Sequence, residues 1–275
     1  LPNIFWRHTV NKIVLYTKTF SRDLDRLLVS IESVKKFNKD NIPFYISVPS
    51  TELSLFNNKV DTEYVHIVAD EDIYSVNEQS WKTQQIVKSN FWKLGVCENY
   101  VMMDSDSYFI KDFHTSDFMY NDTTPYTVMH EQKDLFEWTG KFKTMLGFDP
   151  YNSFVEDRKK IMDVFERTGR IYDFGPGPII WSAKVWKSLE ENYMQPNDLT
   201  FSQMIEYCPS EFTWYGEYLL VDRPIDIVPI EPMFKFFHFA QQYQMFKQMG
   251  YTEDDFKSVY LGIVMQSNWG APLKY

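Results

Sequence analysis

Tyr100-Val-Met-Met-Asp-Ser-Asp106 is an apolar run that ends abruptly in two carboxylates separated by one serine. Consecutive apolar residues with no polar break read as a strand buried on both faces, as in a parallel sheet. Asp104 and Asp106 then stand at the carboxyl end of that strand. One residue apart, they share a face if the strand continues and can still reach one ion if it turns. In open α/β sheets ligands bind outside the carboxyl ends of the strands. A D-x-D spacing is common in surface turns, and its place after a buried strand is what gives it weight here.

The same pattern repeats on either side. Residues 12–17, 43–48 and 63–68 read as strands, the second ended by Pro49. Leu24, Leu27, Leu28, Ile31 and Val34 recur at helical spacing across residues 23–37, and residues 75–94 read as a helix stopped by Gly95. Strand and helix in alternation predict an α/β fold: one domain with an open, mostly parallel sheet flanked by helices. The second half is less regular. Strands are expected at 126–129, 179–182 and 225–228, and helices at 149–168, 185–193, 200–207, 210–220 and 252–264. Gly175-Pro-Gly-Pro178 breaks the chain before the 179–182 strand, either as a rigid turn or as a place where backbone approaches a sugar closely. No internal repeat, low-complexity tract or linker divides residues 1–275. The expected division is a donor half to about residue 110, an acceptor half over 111–240 and a tail over 241–275.

Composition narrows the function classes. The formal net charge is -10, so phosphate-neutralising contact with nucleic acid is not expected. An anionic substrate then needs a metal or a few focused cations. Aromatic residues make up 18% of the chain, enough for a thick core with some rings left to line a cleft for sugars or a base. Cys97 and Cys208 have no zinc-type or C-x-x-C spacing and read as reduced, buried thiols. Low cysteine usage favours the cytoplasm, with peripheral membrane attachment compatible. No apolar run approaches the roughly 20 residues of a transmembrane helix. The start at Leu1 is read as that of a module of a larger polypeptide.

Two hard carboxylates suit Mg2+ or Mn2+, which makes Asp104 and Asp106 candidate metal ligands. His238, inside Phe234-Lys-Phe-Phe-His-Phe239, is either a core histidine or the imidazole that completes the metal shell. Glu211, in Glu211-Phe-Thr-Trp-Tyr-Gly216-Glu217, is the candidate general base for an acceptor hydroxyl; Glu217 reads as a solvated helix residue. Gln84 and Lys88, four apart on one helix face, are candidates for donor sugar or phosphates, and Gln85 reads as part of an exposed polar face. Thr17 and Lys18 end the first strand, where a base and ribose often sit. Asp70 and Asp72 follow the third strand as further nucleoside or sugar contacts.

Trp81-Lys-Thr-Gln-Gln-Ile-Val-Lys88, Tyr100-Val-Met-Met-Asp-Ser-Asp106, Glu211-Phe-Thr-Trp-Tyr-Gly216 and the late His238 together resemble GT-A glycosyltransferases, most of all a bacterial group associated with surface polysaccharides. The resemblance spans roughly residues 12–240 as separated motifs. It implies a nucleoside-diphosphate sugar donor, a divalent cation on the D-x-D and a glycan or lipid-linked acceptor. It further implies Asp106 as the direct metal ligand, Asp104 nearer the ribose or the metal's waters, and His238 as the late metal-binding histidine. The competing readings are a nucleotidyltransferase, which would usually show a Gly-rich basic loop where this chain has Thr17-Lys-Thr-Phe-Ser-Arg22, and a non-catalytic carbohydrate- or nucleotide-binding module. A haloacid-dehalogenase-type phosphatase also carries D-x-D after a strand, but Tyr108 stands where that pattern has Thr or Val.

Overall fold

The computed structural model describes residues 10–75, 80–133, 135–137, 139, 147, 149–267 and 270–275. The central sheet is built from β1 (Asn11–Lys18), β2 (Phe44–Val48), β3 (Val65–Ala69), β4 (Cys97–Met102) and β7 (Ile179–Ser182), in the order β3-β2-β1-β4-β7. The first four run parallel, and β7 closes the edge antiparallel to β4. Strand pleat divides the apolar residues between two cores. Val14, Tyr16, Tyr100 and Met102 enter one face with Phe91, Trp181 and Trp186. Ile13, Leu15, Val101 and Met103 enter the other with Leu27, Ile31 and Val34 of α1 (Leu24–Phe37). Both faces are covered, which is why these strands read as unbroken apolar runs. The fold is the expected α/β one: a single domain with a mostly parallel sheet flanked by helices.

Shorter helices α2 (Leu53–Lys59) and α3 (Asp70–Ile73) follow β2 and β3. The helix expected from residue 75 appears as α4 (Trp81–Asn90), with Ser80 accepting from the Thr83 N–H as its cap; residues 76–79 lie outside the described residues. A 3-10 turn (Phe91–Leu94) ends at Gly95 in the left-handed region, φ 66°, as the sequence predicted. Downstream come α5 (Pro150–Val164), α6 (Ala183–Ser188), α7 (Phe201–Tyr207) and α8 (Glu211–Asp222).

A second sheet stands beyond the carboxyl edge of β4. Its order is β5 (Ser107–Phe109), β10 (Gly262–Met265), β9 (Phe234–Phe237), with β10 antiparallel to β5 and parallel to β9. A two-stranded ribbon pairs β6 (Thr127–Val128) with β8 (Pro229–Ile230). Helices α9 (Ala240–Gln248) and α10 (Glu253–Phe256) lie between β9 and β10.

Two expectations fail here. The helix expected over residues 252–264 is one turn, α10, followed by a strand. Thr252 and Asp255 form a genuine capping box, so the start signal was real. Ile263-Val-Met265 is then taken by β9 and β5, and Gly262 fits because a Cβ there would lie 2.2 Å from the Phe234 ring and 2.4 Å from the Tyr108 carbonyl. The strand expected at 225–228 instead begins at Pro229, where pairing with Thr127 and Val128 decides the register.

Cys97 and Cys208 are buried and unbridged, and burial pushes their thiols up to about 12 and about 11, which makes them inert at neutral pH.

Gly216 shows how tightly the second half is packed. Inside α8, a Cβ at this position would stand 2.0 Å from Cγ of Phe174, itself buried. Gly216→Ala is expected to cost about 1–3 kcal/mol by overpacking, although alanine is the better helix former by about 1 kcal/mol. The check is a urea midpoint that falls with an unchanged slope.

Candidate active site

At the end of β4 the chain turns. Met103 N–H still donates to the Tyr16 carbonyl, then Ser107 N–H donates to the Asp104 carbonyl at 3.0 Å and closes a tight turn into β5. Asp104-Ser-Asp106 therefore sits on the hinge between the two sheets, at the carboxyl edge of the first. It opens on a cleft of about 650 Å³. Phe20, Arg22, Pro49 and Glu52 line it from the segments after β1 and β2. Trp81, Gln84, Gln85 and Lys88 line it from α4, with Pro209, Glu211 and Phe212 at the start of α8.

The two aspartates differ. The Asp104 side chain is half exposed, and its Oδ1 accepts from Lys88 Nζ at 2.6 Å. Asp106 is buried. Its backbone carbonyl accepts from Met265 N–H, and its Oδ2 accepts from Ser267 N–H at 2.9 Å. Its Oδ1 has no partner among the described residues. Burial first, then the Asp104 charge, pushes the Asp106 carboxyl up to about 6, against the pull of the Ser267 N–H. A buried oxygen without a partner, next to a second carboxylate at the mouth of a cleft, fits a hard divalent cation. Among the described residues no three His, Cys, Asp or Glu side chains are grouped closely enough to hold a metal. Further ligands would be water, substrate oxygens or a side chain moved in from beside the cleft.

Lys88 is the electrostatic centre of the far wall. Its ammonium lies 2.6 Å from Asp104 and 3.8 Å from Glu211 Oε1. Burial works against that charge, but Asp104 and Glu211 outweigh it and hold the lysine above its ordinary range. Glu211 is buried at the first position of α8, and burial raises its carboxyl while Lys88 partly restrains it. Gln84 lines the cleft one turn before Lys88, as expected of residues four apart.

Gln85 is a correction. It is 2% exposed, lines the cleft, and accepts from the Glu211 N–H through Oε1 at 3.3 Å. Glu217 is another: fully buried, it is held by both Nε and Nη2 of Arg167. In both cases residues from distant elements supply partners that periodicity alone does not show.

The remaining candidates divide. Lys18 borders the cleft, but its ammonium is buried 2.7 Å from Asp70 and donates to the Thr19 carbonyl. Thr17 and Asp70 are fully buried and stand outside the cleft lining; Asp72 is exposed on α3. His238 also stands outside the lining, with its ring 4.5 Å from that of Phe236 and its backbone N–H donating to Gln242 Oε1. It nevertheless follows Phe237, the register partner of Met265, so it leaves β9 beside the Gln266–Ser267 segment of the cleft wall.

Sequence reasoning missed that segment altogether. Gln266 and Ser267 line the cleft from the expected tail, and Arg26 of α1 holds the stretch by donating to the carbonyls of Met265, Ala271 and Pro272. Ser267 lies 161 positions from the aspartate it holds. No local signal marks such a pairing.

Among solved structures, a bifunctional glycosyltransferase, WbbM, in its apo form, matches 97% of this chain with a TM-score of 0.53 at 12% identity. The chain spans 47% of that protein, about half its length. Mouse xyloside xylosyltransferase 1, also apo, is matched over 95% of this chain with a TM-score of 0.47 at 7% identity. At such identities the likeness to WbbM speaks for the fold, a glycosyltransferase-like α/β architecture, and for nothing finer. No curated protein sequence matches significantly. The family model that does match, over residues 8–269, places the chain in DUF6492, described as a family of unknown function.

Proposed function

We propose that this chain is a metal-dependent glycosyltransferase that takes a sugar from a nucleoside-diphosphate sugar and passes it to a hydroxyl of a glycan or glycolipid acceptor, in surface polysaccharide synthesis. The observation that carries this reading is Asp106: a buried carboxylate with one oxygen held by Ser267 and the other without a partner among the described residues, on a cleft at the carboxyl edge of a parallel sheet. The glycosyltransferase-like fold supports it.

In this reading Asp104 and Asp106 would hold Mg2+ or Mn2+, which would supply positive charge to screen the diphosphate and the leaving group. The elements up to β5 form the donor half; the second half meets the acceptor through α8, which α4 abuts at the Gln85–Glu211 bond. Lys88 fixes a positive charge beside Asp104 and keeps that carboxylate oriented. Glu211 is the general base: burial makes its carboxylate a stronger proton acceptor than an exposed glutamate. It takes the acceptor hydroxyl proton as the new glycosidic bond forms and the bond from the anomeric carbon to phosphate breaks, which inverts the anomeric centre. His238 as a further metal ligand requires its side chain to rearrange toward the Gln266 wall. Among the described residues no helix is long and apolar enough to cross a membrane, and the proposed setting is the cytoplasm, with a lipid-linked acceptor met at the membrane surface.

The first test is a thermal-shift panel of UDP-, GDP-, CMP- and dTDP-sugars with and without Mn2+. Ligand that binds only the folded state stabilises it by about 2.7 kcal/mol at a hundredfold excess over Kd. The expected outcome is a shift for one nucleotide class that needs the metal; no shift with any of them overturns the proposal. Glu211→Gln is then expected to lower transfer by about 10²–10⁴-fold with donor binding kept, and transfer near wild type would remove Glu211 from the base role.

A further inference from the structure

Trp81 is one of the most exposed large apolar side chains among the described residues, at 60%, yet it is a wall of the cleft. It opens α4, and the same helix carries Gln84, Gln85 and Lys88 along the cleft. Positions 81, 84, 85 and 88 form one helical stripe. Its chemistry is graded, from an aromatic ring at the mouth, through two amides, to the ammonium on Asp104. Gln85 adds an independent sign of a ligand. Its Oε1 is taken by the Glu211 N–H, while its buried Nε2 has no partner among the described residues. Buried amide donors are normally satisfied, and this one belongs to a residue of the cleft wall. The Lys82–Glu206 ion pair at 2.6 Å joins the start of α4 to α7, on the Pro209 and Phe212 side. The Gln85 bond to the Glu211 N–H sets this stripe against the start of α8, at the residue read as the general base, while Phe20 and Arg22, whose guanidinium lies 5.0 Å from the Phe20 ring, line the cleft from the segment after β1.

We propose that Trp81 with Gln85 forms an acceptor subsite for a pyranose ring, so that the acceptor is a saccharide and not a simple alcohol or an amino-acid hydroxyl. This rests on the transferase reading for the word acceptor, but not for the subsite itself. A pyranose presents an apolar C–H face and a rim of hydroxyls. An exposed indole suits the face, as aromatic rings do for amphipathic ligands, and amides at that depth suit the hydroxyls. A nucleobase would also stack, but Phe20, in the segment after β1, already offers a ring of its own for it.

The test uses an array of defined oligosaccharides probed with wild type, Trp81→Ala and Trp81→Phe, followed by titration calorimetry on the best-retained saccharide. Far-ultraviolet circular dichroism checks folding, and the metal-dependent thermal shift with nucleotide sugar is measured on each protein. The expected result is a tenfold or greater loss of saccharide affinity in Trp81→Ala, largely restored in Trp81→Phe, with the donor shift kept. Saccharide affinity unchanged in Trp81→Ala, a lost donor shift with saccharide affinity unchanged, or no saccharide retained by wild type overturns the subsite. Saccharide binding that depends on Trp81 in a protein that responds to no nucleotide sugar would support the subsite and sink the transferase reading.

Discussion

Asp106→Asn is expected to leave a folded protein that no longer binds nucleotide sugar in a metal-dependent way, with transfer lowered on the order of 10³-fold or more. Such a loss corresponds to the several kcal/mol that a bound cation supplies to a phosphate leaving group. Asparagine is the informative replacement. Its amide oxygen can still accept from the Ser267 N–H, so the turn and the C-terminal segment keep their bond. Folding stability should hold or rise, because the native carboxyl is pushed up to about 6 by burial and the neighbouring Asp104. A carboxyl raised in the folded state takes stability away at pH 7, where it must ionise, and stops doing so as pH falls toward its ordinary value of about 4. Any gain from asparagine is thus largest at neutral pH and fades in acid. The measurements are the Mn2+-dependent thermal shift, donor hydrolysis, and urea midpoints at pH 7 and pH 4. Donor hydrolysis near the wild-type rate would sink the metal role, whatever the stability does.

The contrast between Asp104 and Asp106 also shows how far sequence carries. The D-x-D, the buried strand before it and the parallel order around it were readable, because each rests on a local apolar pattern that the sheet then satisfies. Lys88 was readable because helix periodicity puts it with Gln84 on one face. What was hidden depends on long-range pairing. Ser267 reaches Asp106 from just beyond a stretch that reads as the end of a helix and that pairing with β5 and β9 makes a strand, Gly262 fitting closely against Phe234 and Tyr108. Gln85 and Glu217 look like polar helix positions until Glu211 and Arg167 are placed beside them. Thr17 and Asp70 stand where nucleotides often bind, but the chain closes over them and Asp70 is spent on Lys18. The sequence shows what each element offers; which offers are taken up inside is decided by neighbours far along the chain.

Arg158→Met is expected to carry the largest stability cost, about 3–5 kcal/mol at pH 7. Arg158 Nη2 donates to Asp173 Oδ1 at 2.7 Å, and both side chains are buried. Gln132 donates to the other carboxylate oxygen, and His130 Nε2 lies 3.9 Å from it. Burial alone would raise Asp173, but Arg158 outweighs it, and the carboxyl sits below its ordinary value. The wild-type contribution is therefore complete above about pH 4 and is lost as pH falls through the lower folded value. Methionine fills similar space beside Phe154 and Phe212, over whose rings the guanidinium lies at 3.8 and 5.5 Å, but it leaves the carboxylate buried without its main partner. The sign then reverses: Asp173 is raised, its charge destabilises the fold at neutral pH, and the deficit shrinks as acid protonates it. Urea midpoints at pH 7 and pH 5 should differ in that direction, and Asp173→Asn in the same background should recover most of the loss, since the uncompensated charge is gone. A deficit independent of pH, or no recovery in the double variant, would mean that lost packing and not the buried charge carries the cost. The catalytic consequence follows from position: Asp173 precedes the Phe174-Gly175 turn, which packs on Phe212 and Gly216 behind Glu211. Loosening this ion pair should lower transfer more than donor binding, because it disturbs the α8 wall while Asp104, Asp106 and Ser267 keep their contacts.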